Sequence, residues 1–246
     1  MARTVGIIQQ RMGSSRLPGK AAMLIGDHSL TWHVINRVCQ AKSLDDVVIA
    51  MPLEGELTAE LIDTFDDLKV NRLIVGGDPC DLLYRYYFAA NAYKADTVVR
   101  IPSDNPCIDP DEIDRIVEYY NAAKHPTGQW LYTNLDRNVL GNGYPGGLGA
   151  EVYSGWFIRW LDANVTDKRQ REHPHVWAFD EGRVRTIPAP EAIRRPALRF
   201  DVNTHADLAY IRDIYAHIYP QKPTFRTADI LAYLDSKEPT NGRERS

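Results

Sequence analysis

Residues 4–20 of the chain read TVGIIQQRMGSSRLPGK, a β-branched apolar run followed by a segment rich in glycine, serine and proline. The run over residues 4–8 predicts a buried strand, and residues 12–20 predict the loop that follows it. Ligands of open α/β sheets bind beyond the carboxyl ends of the strands. The position of this loop therefore predicts that it forms part of a binding site.

Strands and helices alternate through the first half of the chain. Apolar β-branched runs predict further strands at residues 46–51, 71–75 and 95–101. Helical spacing of apolar residues predicts helices at residues 30–41, 57–65, 81–93 and 110–123. This alternation implies crossover connections and a mainly parallel sheet that is covered by helices on both faces.

The pattern changes after His125. Residues 141–149 are rich in glycine, and aromatic and histidine side chains gather between residues 156 and 179. We interpret residues 126–195 as an elaboration that helps to form the pocket. Alternation returns with an extended run at residues 199–202 and a helix at residues 205–215. We expect a single domain over residues 1–235 and a frayed polar tail over residues 236–246.

Length and composition set the broad class of protein. The chain has 246 residues, of which 44% are hydrophobic and 25% charged, and its formal net charge is −4. These are ordinary globular values, and a nucleic-acid-binding protein would usually carry a basic surplus. No run approaches the ~20 apolar residues of a membrane helix. The N-terminal apolar run is too short for a signal peptide, and the three cysteines form no disulfide framework. We expect a cytoplasmic protein with reduced, partly buried thiols and neither nucleic-acid nor membrane partners.

The loop after the first strand has the composition of a phosphate-binding loop. Its cations are Arg11, Arg16 and Lys20. The small residues between them are Gly13, Ser14, Ser15 and Gly19. Guanidinium groups grip phosphate oxygens in pairs, an ammonium supplies a point charge, and small residues let backbone amides approach. The loop is neither a Walker A motif nor a GxGxxG fingerprint. The pattern favours a triphosphate site, with a solvated basic turn as the alternative.

The segment QQRMGSSRLPGK also resembles the N-terminal signature of the cytidylyltransferases that activate 3-deoxy-manno-octulosonate and acylneuraminate. The resemblance is strongest to the spore-coat polysaccharide biosynthesis group, whose version reads roughly IQARMGSTRLPGK. It implies a three-layer α/β/α Rossmann-like nucleotidyltransferase fold with a mainly parallel central sheet. It also implies magnesium-dependent transfer of CMP from CTP to a small acidic acceptor, release of pyrophosphate, and a homodimer. Arg11, Gly13, Ser14, Ser15, Arg16 and Lys20 would bind CTP, and Arg11, Lys20 and Asp104 would have catalytic roles.

Two further segments resemble the nucleotide-binding side of the same family. Residues 78–91, DPCDLLYRYYFAAN, are similar to a segment containing DVLDRY, whose arginine, here Arg85, lies near the nucleotide. A solvated helix residue is the alternative for Arg85. Residues 100–106, RIPSDNP, resemble RITGDNP, and Asp104 matches the aspartate that binds magnesium and phosphate. Ser103 departs from the usual glycine but leaves this carboxylate in place.

Two segments resemble the family's acceptor-binding side, in the predicted elaboration. Residues 144–153, YPGGLGAEVY, are similar to FPDGLDVEVF, with glycines at 146 and 149 in place of aspartates that face the acceptor in relatives. These changes suggest a different acceptor. Glu151 would orient acceptor hydroxyls or an amine, with an outward-facing strand residue as the alternative. Residues 171–177, REHPHVW, resemble REHVTPYI, which implies acceptor contacts by Arg171 and His173 and a structural role for His175.

The second metal ligand is predicted from residues 199–204, RFDVNT. They resemble RLTVDTPEDL and, in the octulosonate enzymes, IDVDTPEDL. Asp201 matches the first aspartate of the latter, and Asn203 replaces the second. Mg²⁺ takes few carboxylates together with phosphate oxygens and water. Asp104 and Asp201 are therefore the predicted Mg²⁺ ligands, and Asp201 and Asn203 should share a face because they are two residues apart.

Two other functions remain open from the sequence. A nucleotide-sugar glycosyltransferase of related fold would use a DxD carboxylate pair, and Asp109-Pro110-Asp111 has this spelling. The proline between the two aspartates, however, marks the start of a helix. A non-catalytic nucleotide-binding module would bind CTP without turnover. The acceptor of a cytidylyltransferase would be a sugar acid or another phosphorylated, phosphonate or carboxylate compound, in surface polysaccharide biosynthesis.

Overall fold

A central seven-stranded sheet organises the structure, a computed structural model that describes residues 2–11, 13, 16–53, 65–68, 70–123, 128–135 and 140–237. Its strands, in chain order, are β1 (Thr4–Gln9), β4 (Asp46–Pro52), β5 (Asn71–Val75), β6 (Thr97–Pro102), β7 (Leu131–Thr133), β8 (Glu151–Ser154) and β9 (Val184–Thr186). Two short strands, β2 (Leu24–Ile25) and β3 (His28–Ser29), form a separate antiparallel pair.

Residues 65–68 are helical, and eight further α-helices have both ends within the described part of the chain. They are α1 (Leu30–Val38), α2 (Leu82–Ala92), α3 (Pro110–Ala122), α4 (Gly155–Asn164), α5 (Lys168–Glu172), α6 (His175–Asp180), α7 (His205–Ile218) and α8 (Thr227–Lys237). Short 3₁₀ helices lie at Lys20–Ala22 and Glu191–Ile193. None of the described helices combines the length and the apolar character that a membrane crossing requires.

The strand order is β5-β4-β1-β6-β8-β7-β9. Strands β5, β4, β1 and β6 are mutually parallel, whereas β8 runs antiparallel between β6 and β7. Strand β9 pairs parallel with β7. The mainly parallel sheet that the sequence predicts is therefore confirmed, and the predicted elaboration over residues 126–195 contributes β7, β8 and β9 to it.

Helices cover both faces of the sheet and create two separate cores. Consecutive strand residues point to opposite faces. Thus Val99 joins the core that includes residues of α1, α3, α7 and α8, and Val98 joins the core that includes residues of α2, α4 and α6. All six residues of β1 are buried, as expected for a strand that is covered on both sides. This arrangement is the predicted three-layer α/β/α architecture.

The predicted elements of the described residues agree with the structure to within a few residues at their ends, apart from the predicted strand at 199–202. Residues 199–202 do not form a strand, because Phe200 N donates to Gly146 O and Val202 N donates to Asp104 O, so the segment bonds to two different loops. Helix α8 continues to Lys237, past the predicted start of the tail, and residues 238–246 lie outside the described residues. Most of the predicted helix 57–65 also lies outside them. Of the three free cysteines, only Cys107 is buried, whereas Cys39 and Cys80 are exposed.

Candidate active site

Two adjoining cavities lie where β1 and β6 end. The first, of about 240 Å³, is lined by side chains that include Gln9, Arg11, Lys20 and Tyr86. The second, of about 470 Å³, is bordered by residues that include Gly146, His175, Arg199 and Asp201. Five residues line both: Arg16, Arg100, Pro102, Asp104 and His173. The structure therefore brings the loop after β1, the end of β6 and the segment around Asp201 to one place, as a site at the strands' carboxyl ends requires.

Lys20 and Asp104 form the central ion pair of this region. The Lys20 Nζ atom lies 2.9 Å from Asp104 Oδ2 and donates a second bond, of 2.7 Å, to the carbonyl oxygen of Val202. The Lys20 side chain is only 14% exposed. The predicted phosphate-binding cation and a predicted metal ligand are thus direct neighbours of opposite charge.

Asp201, Asn203 and Arg16 form a second polar chain at the same edge. Arg16 Nη2 donates to Asn203 Oδ1 at 2.7 Å, and Asn203 Nδ2 donates to Asp201 Oδ2 at 2.5 Å. The side chains of Asp201 and Asn203 meet, as their spacing predicts. Arg199 pairs with Asp201 at 3.0 Å. Gly147, at φ 87°, lets its own backbone lie close to the backbone of Asp201. A Cβ at this position would be only 2.7 Å from Asp201 N.

The side-chain oxygen atoms at this edge are of the type that binds a magnesium ion. Asp104 and Asp201 both line the second cavity, and the Val202 N to Asp104 O bond of 2.9 Å ties their segments together. Carboxylate and amide oxygens are the hard ligands that Mg²⁺ prefers. Within the described ranges, no group of three or more His, Cys, Asp or Glu side chains is placed to hold a metal. Phosphate oxygens and water would therefore complete the coordination.

Two further loop residues predicted to bind CTP, Arg11 and Gly13, are among the described residues. Arg11 lines the first cavity, and its Nη2 lies 3.2 Å from Glu172 Oε1 of α5. Its Nη1 is 3.9 Å from the sulfur of Cys80. Gly13 is exposed, with no atom within 4 Å of a Cβ built on it. Ser14 and Ser15 lie outside the described residues, so their predicted contacts with CTP remain predictions.

Arg85 contacts Gln9, a residue that lines the first cavity. Arg85 is 2% exposed, and its Nε donates to Gln9 Oε1 at 3.2 Å while Nη2 donates to Pro79 O at 2.8 Å. Arg85 is thus not a solvated helix residue, and it is not among the residues lining either cavity. Gln9 takes that place. Sequence reasoning missed Gln9, whose only signal is a polar residue at the end of an apolar strand.

Glu151 is fully buried and pairs with Arg100 across neighbouring strands. The two residues face each other in the β6–β8 register, with Arg100 Nη1 3.0 Å from Glu151 Oε2. Tyr153 donates to the same oxygen at 2.9 Å. Glu151 is thus neither an outward-facing strand residue nor one of the residues lining the cavities. Burial disfavours the charged guanidinium, but Glu151, with Tyr86 and Tyr153, outweighs it and holds the pKa of Arg100 above its usual value.

The residues of the REHPHVW segment separate into two groups. Arg171 is 20% exposed, and its guanidinium bonds to Asp81 Oδ2 at 2.8 Å, Asp162 Oδ1 at 2.7 Å and Val165 O at 2.8 Å. It ties α5 to the start of α2 and to the end of α4, and it is not among the residues lining either cavity. His173 lines both cavities and His175 lines the second. Of the two residues predicted to contact the acceptor, His173 therefore lines the cavities and Arg171 does not, and His175, predicted to be structural, borders the second cavity.

The two glycines that replace family aspartates lie in different surroundings. Gly146 borders the second cavity, and a Cβ there would contact the Arg199 side chain at an ordinary 3.5 Å. A Cβ at Gly149 would lie 2.3 Å from Asn134 Oδ1. Asn134 is buried and accepts a bond of 2.9 Å from Ala150 N. Only Gly146 therefore faces the cavity, whereas Gly149 is required by packing.

Comparison with known proteins gives consistent results. A family model described as cytidylyltransferase matches residues 5–142. Protein MJ1063 of Methanocaldococcus jannaschii is 29% identical over 218 residues, or 87% of this chain and 84% of that protein. Spore coat polysaccharide biosynthesis protein SpsF of Bacillus subtilis is 26% identical over 246 residues, or 97% of this chain and 96% of that one. The structure of a cytidylyltransferase from Leptospira borgpetersenii has a TM-score of 0.83 at 22% identity, over 96% of this chain and 95% of the other, and it confirms the fold.

Proposed function

The chain belongs to the cytidylyltransferase family, and from this membership we propose that it transfers CMP from CTP to a small acidic acceptor, a sugar acid, with release of pyrophosphate. The observation that carries the proposal is the pair of cavities that share Arg16, Arg100 and Asp104. A transferase for two substrates needs two sites that meet at the reacting atom. The similarity to SpsF supports a product used in polysaccharide synthesis.

The first cavity is suited to the triphosphate side of CTP. Arg11, Arg16 and Lys20 all line it, and each has a partner that it can exchange for a phosphate oxygen. Charge-assisted bonds from these groups would stabilise the charge that develops on the departing pyrophosphate. Transfer of Lys20 from Asp104 to a phosphate oxygen would free the Asp104 carboxylate. Asp104 and Asp201, with Asn203 beside them, would then hold Mg²⁺, whose charge offsets that of the triphosphate.

The second cavity is suited to an anionic acceptor. Arg16, Arg100 and Arg199 line it together with His173 and His175, and among its described lining residues only Asp104 and Asp201 contribute negative charge. A hydroxyl oxygen of the acceptor would attack the α-phosphorus in line and lose its proton to water, while a new P–O bond forms, the bond to the β-phosphate breaks and pyrophosphate leaves. The protein's part in this reaction is mainly positioning and charge stabilisation.

The proposal is tested by measuring pyrophosphate release with CTP, UTP, ATP or GTP. Each nucleotide is combined with 3-deoxy-manno-octulosonate, N-acetylneuraminate, or neutral sugars of matched size. We expect pyrophosphate release only when CTP is combined with a sugar acid. No release is expected when Mg²⁺ is left out. Equal rates with GTP would contradict the nucleotide assignment. Sugar transfer from a nucleotide sugar without pyrophosphate would indicate a glycosyltransferase, and CTP binding without turnover would indicate a sensor. Sedimentation of the same sample tests the predicted homodimer.

A further inference from the structure

Arg100 is a site residue that neither its sequence segment nor the family resemblance singled out. It lies on β6 and points to the same face of the sheet as Val98, beneath Tyr86 of α2. Its side chain is only 12% exposed, yet it lines both cavities. The exposed remainder of this guanidinium therefore faces the place where the two substrates would meet.

The Arg100–Glu151 pair is a poor device for stabilising the fold. Removal of two charges from water carries a large desolvation penalty, and a well-packed apolar pair is often as stable or more so. Glu151 is 0% exposed and holds its Arg100 contact at one side of the guanidinium. Among the described residues, Nε and Nη1 of Arg100 have no aligned hydrogen-bond acceptor. These two nitrogens are themselves buried, so the part of Arg100 that can meet a ligand is the 12% of its side chain that stays exposed.

The other two arginines of the second cavity have different surroundings. Arg16 belongs to the phosphate-binding loop and bonds to Asn203. Arg199 is 61% exposed and bonds to Asp201. Arg100 is instead fixed by a central strand and by a buried carboxylate. A guanidinium held in this way loses little conformational freedom on binding, and its exposed part can donate a charge-assisted hydrogen bond to a carboxylate.

We propose that Arg100 binds the carboxylate of the acceptor, and that Glu151 is a positioning residue that acts through Arg100. The proposal rests on the proposed function and extends it by assigning the group that recognises the acid. His173 lines both cavities beside Arg100 and would contact the same ligand. A carboxylate anchored here fixes the acceptor at the boundary with the nucleotide cavity, which is the positioning that in-line transfer needs.

The test measures ligand binding separately from turnover. Titration calorimetry with α,β-methylene-CTP and Mg²⁺ gives the Kd of 3-deoxy-manno-octulosonate and of its C1 alcohol, which lacks the carboxylate. Arg100→Lys keeps the charge that compensates Glu151 but loses the planar guanidinium and its hydrogen-bond geometry. We expect it to weaken binding of the acid about 10- to 100-fold, the range for a charge-assisted bond. Binding of the C1 alcohol and of the nucleotide analogue should stay unchanged.

Two further variants show whether a loss of acid binding comes from misfolding. The double variant Arg100→Gln/Glu151→Gln removes both charges and should show the same selective loss. Arg37→Lys is the matched control, because Arg37 is also buried but is absent from the described lining of both cavities. Glu151→Gln alone should raise the acceptor KM more than it lowers kcat. It should add little in the Arg100→Lys background, because the two residues act as one unit.

The outcomes separate this inference from the proposed function. Equal binding of the acid by wild type and both Arg100 variants would overturn the inference and leave cytidylyl transfer intact. Equal weakening of the acid and the alcohol would also overturn it, since the carboxylate would then not be the recognised group. If the wild type binds the acid but releases no pyrophosphate, the transfer proposal fails and the selective loss still supports Arg100. If the wild type binds no acid, the inference fails. Pyrophosphate release with other acceptors then tests the proposed cytidylyl transfer independently.

Discussion

Two buried arginines, Arg37 and Arg100, lie in regions of opposite character. Arg37, on α1, is 2% exposed, donates from Nε to Ile108 O at 2.6 Å, and lies 4.2 Å from the ring centroid of Phe225. It belongs to a region that we call the helix seam, formed by residues of α1, α7 and α8 and the start of α3: His33, Arg37, Asp109, Tyr215 and Thr227. Arg100 belongs to the cavity edge, formed by Arg16, Lys20, Arg100, Asp104, Arg199, Asp201 and Asn203.

The regions differ in what their polar groups bind. In the helix seam, the partners are backbone atoms or buried side chains: Asp109 accepts from Thr227 N and Oγ1 at 2.8 and 2.6 Å, and Tyr215 donates to Pro106 O. At the cavity edge, Lys20 pairs with Asp104 and Arg16 with Asn203 through partly exposed or exposed side chains, and Arg100 is the exception because its partner Glu151 is buried. Polar groups of the helix seam thus have fixed partners, whereas those of the cavity edge other than Arg100 have partners that a ligand could replace. Changes in the helix seam should alter stability, and changes at the cavity edge should alter activity.

The largest expected effect is at the two metal ligands of the cavity edge. Asp104→Asn and Asp201→Asn keep size and hydrogen bonding but remove the charge that would hold Mg²⁺. Each should lower kcat by about 10²- to 10³-fold, the usual loss when one group that stabilises transition-state charge is removed. Each should also raise the Mg²⁺ concentration that gives half-maximal rate, while the melting temperature changes little.

A double variant sharpens this prediction. Asp104→Asn/Asp201→Asn should be little worse than the poorer single variant, because residues that act as a unit are not additive. Initial rates over a Mg²⁺ series measure all three proteins. If Asp201→Asn keeps full activity at limiting Mg²⁺, the ligand is not Asp201, and Asn203 becomes the next residue to replace.

The sequence predicts the cavity edge better than its surroundings. Arg11, Arg16 and Lys20 form a compact loop directly after a strand, and Asp104 follows another strand of the same sheet. Their meeting follows from parallel strands alone. Local patterns contain no information on partners far away in the chain. Arg171 therefore resembled an acceptor ligand, although Asp81 and Asp162 occupy its guanidinium.

Extended segments caused the other errors. Residues 199–202 have the apolar alternation of a strand, yet Gly146 and Asp104 supply their backbone partners. The local sequence around Arg100 predicts an ordinary strand residue. It contains no information on Glu151 of the neighbouring strand or on the cavities beside Arg100. Strand pairing and burial decide such cases, and both are tertiary properties.

The next largest expected effect is in the helix seam, where the contribution of His33 to stability should depend on pH. Burial, partly opposed by the hydrogen bond with Ile25 O at 2.8 Å, lowers the pKa of His33 to about 4 from 6.5. The unfolded chain therefore takes up a proton below pH 6.5, whereas the folded protein does so only near pH 4. The stability that neutral His33 contributes is present above pH 6.5 and is lost as the pH falls to 4, by up to about 3 kcal/mol.

Urea unfolding of wild type and His33→Gln at pH 7 and pH 4.5 measures this contribution. The variant should be less stable at pH 7 and should lose less stability between the two pH values, because glutamine does not titrate. The carboxyl groups titrate in both proteins and cancel in the comparison. Parallel pH dependence in the two proteins would show that His33 is not responsible.

A smaller effect is expected at the contact between α8 and α3. Thr227→Val removes the hydroxyl that donates to the buried carboxylate of Asp109 at 2.6 Å. A hydrogen bond to a charged group contributes about 1.5–3 kcal/mol, so the free energy of unfolding should fall by that amount. The exposed Thr224, changed to Val, is the matched control. Thr227→Val should leave kcat and both KM values unchanged, and a loss of activity without a loss of stability would break the distinction between the two regions.

The smallest effect is expected at the mouth of the first cavity, where Arg11 pairs with Glu172. The two side chains are 36% and 35% exposed, and such surface pairs contribute about 0.2–1 kcal/mol. Glu172→Gln should therefore change the melting temperature very little. If Arg11 must leave Glu172 to bind CTP, the variant releases it in advance, and the KM for CTP should fall by up to about fivefold.

Ionic strength separates this explanation from a packing effect. Salt screens exposed charges, so the difference in KM between wild type and Glu172→Gln should shrink as salt is raised. Glu181→Gln, at an exposed glutamate directly after α6, controls for the loss of one negative charge. A higher KM in Glu172→Gln would mean that Glu172 holds Arg11 in its binding position and does not compete with the phosphates. The pair would then be fixed rather than exchangeable, and the border between the two regions would lie at Arg11.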